Sequence, residues 1–178
     1  MMKEEKPFIA ITKLTPKEKI KEFAKTNCDK CTHCCHFGGG FLLDEDVQRI
    51  SKFLDITKEE FENKYVEKFE KFNTKLLRLK AEKPEAVYSP CAFLDKEEKC
   101  MLHEEKPLHC VISSCNKYGD MLEQWFTLNH FVNADDPESI RQWAVYLKTH
   151  DTIQGGSLEE LVPDKKLLKK ILSYEIIK

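Results

Sequence analysis

Apolar residues along this chain recur mostly at helical spacing, with a few short runs that suit strands. In PKEKIKEFAKTN, Ile20, Phe23 and Ala24 share one face behind Pro16, a residue that a first helical turn tolerates. FLL at 41–43 reads as a brief strand, after which Asp44 is placed to cap a helix carrying Val47, Ile50 and Leu54 on one side. Thr57 and Glu60 have the spacing of a capping box, and Ile56 and Phe61 that of a hydrophobic staple, so a second helix is expected at once. Phe61, Tyr65 and Phe69, with Val66 and Phe72, extend it as an aromatic stripe suited to core packing. TKLLRLK and EAVYSPCAFL read as short strands about a turn near Pro84, although the first also fits a helix. DKEEK between AFL and CML predicts a small hairpin.

Further along, DMLEQWFTLNHF is too aromatic to assign by pattern. Asp136 as N-cap and Pro137 at the first helical position then announce a helix with Ile140, Trp143, Ala144 and Leu147 on one face. A last helix is expected from near Pro163 through Leu167, Leu168, Ile171 and Leu172. Together these elements predict an α+β fold: a mainly α-helical single domain over 1–178, with a small β-hairpin and a cysteine-rich loop. Within it, a cysteine-cluster core is expected over 28–115 and a helical C-terminal extension over 116–178.

Composition narrows the setting. Of 178 residues, 41% are hydrophobic and 34% charged, which suits a globule with well-solvated helix faces. The formal net charge of -2 offers no bulk attraction to nucleic acid or to an anionic membrane, so neither is an expected partner. The N-terminal FIAI is far shorter than a secretory apolar core of roughly 7–15 residues, and a cytoplasmic location is the expectation. In a reducing compartment, clustered thiols point to metal ligation or redox chemistry rather than to disulfides.

The eight cysteines fall into two groups, Cys28, Cys31, Cys34 and Cys35, then Cys91, Cys100, Cys110 and Cys115, with about 55 cysteine-free residues between. Thiolates bind zinc or anchor iron–sulfur clusters, and cysteines three apart on a tight turn can aim at one centre. All eight are candidate metal ligands. Adjacent side chains leave the backbone in different directions, so Cys34 and Cys35 are expected to part, one of them reaching the second group. Gly38, Gly39 and Gly40 are candidates for cofactor binding, because they would let backbone amides approach sulfur; a flexible turn is an equal reading of them. Lys30, Lys99 and Lys106 stand near enough in sequence to offset thiolate charge. His33, His36 and His109 are each open as ligand, donor to sulfur or exposed residue, His103 less so, and His130 and His150 are expected to be surface or core residues.

The second group has gaps of eight, nine and four residues, unlike the paired C-x-x-C of a zinc ribbon. No nucleotide loop, G-x-S-x-G or thioredoxin-type βαβ context accompanies the cysteines. CDKCTHCC followed by CAFLDKEEKCMLHEEKPLHC resembles the CxxCxxCC cysteine-cluster family of zinc- or iron-chelating domains, over roughly Cys28 to Cys115. By that resemblance the eight cysteines and Pro107 match family positions, while Lys106 and Val111 stand where arginines are common. Flagellin lysine methylases carry a similar cysteine motif.

The expected function is metal binding, with an iron–sulfur cluster (4Fe-4S favoured) serving electron transfer or the maturation of another enzyme. Zinc or mononuclear iron is the alternative cofactor, and a structural zinc module that presents a surface to a protein partner is the alternative function. An iron-dependent oxidoreductase or methyltransferase-like enzyme is a further one.

Overall fold

The computed structural model describes residues 11–25, 32–83, 86, 88–97, 99–113, 115 and 117–176, so Cys28, Lys30, Cys31 and the turn expected near Pro84 lie outside the described residues. In chain order the elements are α1 (Lys17–Ala24), a 3-10 turn (His33–His36), β1 (Phe41–Leu42), α2 (Asp44–Phe53), α3 (Lys58–Tyr65), β2 (Val66–Lys71) and β3 (Thr74–Leu79). Then come α4 (Leu108–Ile112), α5 (Gly119–His130), α6 (Pro137–Tyr146), α7 (Leu158–Leu161) and α8 (Lys165–Leu172). The result is an α+β fold, mainly helical, with one small antiparallel sheet in the order β1-β3-β2. No described helix is long and apolar enough to cross a membrane.

Where local chemistry is strong, the elements start as the sequence dictates. Thr57 accepts the Glu60 N–H at 3.2 Å and Glu60 returns the bond to the Thr57 N–H at 2.8 Å, while Ile56 and Phe61 pack in one apolar group. Asp136 caps α6 through the Glu138 N–H at 3.0 Å, and Pro137 occupies its first turn. At α2 the cap is shifted by one residue. Leu43, not Asp44, is the N-cap, and Asp46 one turn in accepts the Leu43 N–H at 3.1 Å.

The aromatic stripe does not stay helical. Val66 leaves α3 in extended geometry and starts β2, which pairs with β3 from Val66↔Leu79 to Lys71↔Thr74. Cross-strand pairing overrides the helical spacing because Phe72 and Asn73 close a two-residue turn, both at positive φ (51° and 57°), as a type I′ hairpin requires. A bulky residue rarely adopts that backbone. Phe72 holds it with its ring buried edge-on against Trp143 (5.3 Å) and Tyr146 (5.9 Å), while the Asn73 amide donates to Asp136 at 2.6 Å. EAVYSPCAFL forms no strand among its described residues. Isolated bridges stand there instead: Phe37↔Ser89, Ala81↔Cys91 and Leu94↔Cys100. The expected DKEEK hairpin is present as a turn in which Asp95 Oδ1 accepts the N–H groups of Glu97 and Lys99 at 2.9 and 2.8 Å.

Two apolar groups result. The larger gathers α1, α4, α5, α6 and α8 around Ile20, Phe126, Phe131 and Trp143. The smaller holds Leu42, Ile50, Phe61, Leu79, Phe93 and Leu102, and it includes Cys91, with Cys35 and Cys100 packed against it. The cysteines thus sit where the second group meets α4 of the first.

His130 ends α5 with its ring against Trp125 and Phe126 and with Nε2 buried and unpaired. Burial, then the charge of Lys17, lowers its pKa below the ordinary 6.5, with Asp46 acting weakly the other way. The unfolded chain therefore binds this proton more readily than the folded one. Stability contributed by neutral His130 should be complete above about pH 6.5 and fall as pH drops toward the lowered folded value; urea melts across that window should show a shallower decline in His130→Phe.

Candidate metal centre

The 3-10 turn follows Thr32, which takes left-handed geometry (φ 59°) and accepts the Cys35 N–H at 2.8 Å. The Cys35 carbonyl in turn accepts the Cys91 N–H at 2.7 Å, and the Gly38 N–H donates to Ser89 O at 2.9 Å. These backbone bonds lay the first cysteine group along the segment that carries the second. Cys91 and Cys100 are then set by the turn at Asp95, through Met101 N–H to Phe93 O at 2.9 Å.

Cys110 arrives on α4, whose entry is fixed from α2. Asp46, buried, pairs with Arg49 at 2.8 Å and lies 3.4 Å from the Leu108 N–H, while Arg49 reaches Glu105 at 2.5 Å and Lys106 O at 3.0 Å. One side chain pair thus holds both the start of α2 and the turn before Cys110.

All six described cysteines, Cys34, Cys35, Cys91, Cys100, Cys110 and Cys115, line one cavity of about 490 Å³, together with His33, Gly38, Gly39, Gly40, Lys106, His109 and Ser113. The two sequence groups therefore face a common space. Cys34 and Cys35 do not part as expected: Cys35 is hydrogen-bonded to both Cys34 and Cys100. In the 3-10 turn neighbouring side chains diverge by about 120°, less than the 180° of a strand, and both cysteines line the cavity. Cys35 nevertheless reaches the second group, through Cys100.

These contacts set the protons. Hydrogen bonding from Cys35 lowers the Cys34 thiol to about 6, with Lys106 assisting against burial. Cys100, which shares that single Cys35 proton with Cys34, is lowered to about 7. Cys35, bonded to both, is pushed up and keeps its proton. Burial raises Cys91 to about 11 and also raises Cys110, where the Gly40 N–H acts in the opposite direction. Among the described residues no three His, Cys, Asp or Glu side chains form a ready group for one ion, and the six described cysteines are free thiols.

The glycines divide by role. A Cβ on Gly40 would overlap the Cys110 sulfur, and one on Gly39 would overlap Leu79 at the end of β3. Gly38 takes φ 95° in open space. Gly40 is thus the amide that meets sulfur, and a cradle so closely fitted to a thiol, with five more cysteines around it, suits a thiophilic metal. Of the lysines, Lys106 lines the cavity, whereas Lys99 is exposed and paired with Glu97 at 2.5 Å.

The histidines also separate. His33 lines the cavity edge-on to Phe37, and His36 stacks on Tyr88 at 5.4 Å. His150 stacks on Tyr146. His109 has its Nε2 3.2 Å from Glu123, whose carboxylate also accepts the Ser113 hydroxyl at 3.1 Å. Burial raises the Glu123 pKa, but His109 and Ser113 outweigh it and hold the carboxyl below its ordinary value. Sequence reasoning missed Glu123 because only the packing of α4 on α5 brings it near, and α4, at five residues, is too short for a periodic signal.

Residues 27–133 match the family model CxxCxxCC, described as "Putative zinc- or iron-chelating domain". The match takes in all eight cysteines and continues through α5. No solved structure matches the chain.

Two substitutions test this construction. Gly40→Ala should displace the Cys110 sulfur and cut the metal-to-protein ratio measured by elemental analysis, with helical circular dichroism largely kept. Asp46→Ala, which removes hydrogen bonds to charged and backbone groups, should cost about 1.5–3 kcal/mol in urea unfolding.

Proposed function

The chain belongs to the CxxCxxCC family of zinc- or iron-chelating domains, and from that premise we propose that it carries an iron–sulfur cluster, [4Fe–4S] in the favoured form, for electron transfer or for the maturation of another enzyme. The observation that supports this reading is the shared cavity of about 490 Å³ lined by six cysteines from both halves of the site. A space of that size falls within the range of pockets that hold small molecules and cofactors, so it admits a multi-atom group. The cysteines are the proposed metal ligands, Cys28 and Cys31 included. Gly40 would donate its N–H to the Cys110 sulfur and Lys106 would balance thiolate charge, two of the means by which a protein tunes a cluster. When bound, such a cluster supplies one-electron chemistry. A protein partner would approach over Phe37, on the cavity wall, and Tyr88, an exposed ring 5.4 Å from it.

A structural zinc role is the second reading. It is favoured by the place of Cys35, Cys91 and Cys100 in the same apolar group as Leu42 and Phe61, where a metal would consolidate the core. Anaerobic purification followed by iron, zinc and acid-labile sulfide analysis separates the two. The expected result is a brown protein with near-equal iron and sulfide, whose colour is lost in Cys34→Ser and Cys110→Ser. A colourless protein with stoichiometric zinc and no sulfide would overturn the cluster.

A further inference from the structure

His109 stands on the cavity wall beside Cys110, and its ring is clamped edge-on by Phe41 (4.7 Å) and Phe126 (4.8 Å). Its Nε2 is 3.2 Å from Glu123 Oε1. An ionised carboxylate only accepts, so the proton of that bond belongs to Nε2 and, in the neutral ring, Nδ1 carries a lone pair. The neighbour of Nδ1 is the Ser113 hydroxyl at 3.5 Å, but its single proton goes to Glu123 Oε2 at 3.1 Å. Ser113 therefore turns lone pairs, not a proton, toward Nδ1.

Nδ1 also neighbours Gly40. Nδ1 lies 3.5 Å from the point a Cβ on Gly40 would occupy, and the Cys110 sulfur crowds the same point. A nitrogen and a sulfur donor thus share one patch of the cavity wall. Imidazoles that bind metals characteristically give their other N–H to a carboxylate, which fixes the tautomer and the ring.

Resting on the reading above only for a metal in the cavity, we propose that His109 Nδ1 is a nitrogen ligand of the centre, making its donor set mixed sulfur and nitrogen, and that Glu123 is the positioning residue that presents it. Glu123 touches no metal in this arrangement; it acts through the ring.

The test loads the metal-free full chain with zinc under anaerobic conditions and records X-ray absorption. A nitrogen neighbour at about 2.0–2.1 Å beside sulfur at about 2.3 Å is expected. His109→Phe, which keeps an aromatic ring against Phe41 and Phe126, should lose the nitrogen and keep the sulfurs. Glu123→Gln, which can donate to Nε2 and so reverse the tautomer, should weaken zinc affinity roughly 10–100-fold in chelator competition. Circular dichroism checks the fold, and should His109→Phe not fold, the wild-type spectrum and Glu123→Gln decide. Sulfur alone in the wild type, nitrogen retained in His109→Phe, or unchanged affinity in Glu123→Gln overturns the inference while leaving a cysteine-bound metal standing. A wild-type chain that takes up neither zinc nor iron overturns both.

Discussion

The bond on which this site depends is made by backbone, not by sulfur: the Cys91 N–H donates to the Cys35 carbonyl at 2.7 Å. With the Phe37↔Ser89 bridge, it sets two distant stretches of chain side by side before any thiol is considered. Buried backbone groups must be paired, so this alignment is strongly specified. Cysteines placed along the two stretches then face one space as a matter of geometry.

The cavity lies at a seam. On one side Cys35, Cys91 and Cys100 belong to the small apolar group under α2 and α3; on the other, Leu108 and Ile112 anchor α4, and with it Cys110, in the large helical group. The Asp46–Arg49 pair crosses the seam and fixes the approach of the two sides. Donors rooted in different packing groups move with those groups, so the spacing of the sulfurs is linked to how the two cores sit against each other. This is a physical route by which metal content and stability become one quantity.

Much of this was readable from short-range chemistry. Thr57 with Glu60, and Asp136 with Pro137, act within a single turn, and the sequence alone identifies the helices they start. The grouping of cysteines, read as ligands of one centre, is matched by six of them lining one cavity, while Cys28 and Cys31 lie outside the described residues. What local pattern could not carry was anything decided by partners far along the chain. Phe69 and Phe72 fit a helical stripe equally well, and only pairing with β3 and the ring contacts of Trp143 make them part of a hairpin. Cys34 and Cys35 turned together because a 3-10 turn, not an extended strand, carries them. Glu123 reached His109 across 14 residues through helix packing that no periodicity expresses.

The left-handed hairpin tip at Phe72 has a consequence for how the polypeptide can be divided. Its ring is covered by Trp143 and Tyr146, and Asn73 is tied to Asp136, all of them beyond residue 133 where the family match stops. An excised fragment ending there would bare an aromatic surface and leave an unfavourable backbone conformation without its support. The matched segment of this chain is thus a dependent part, completed by helices that lie beyond the family match.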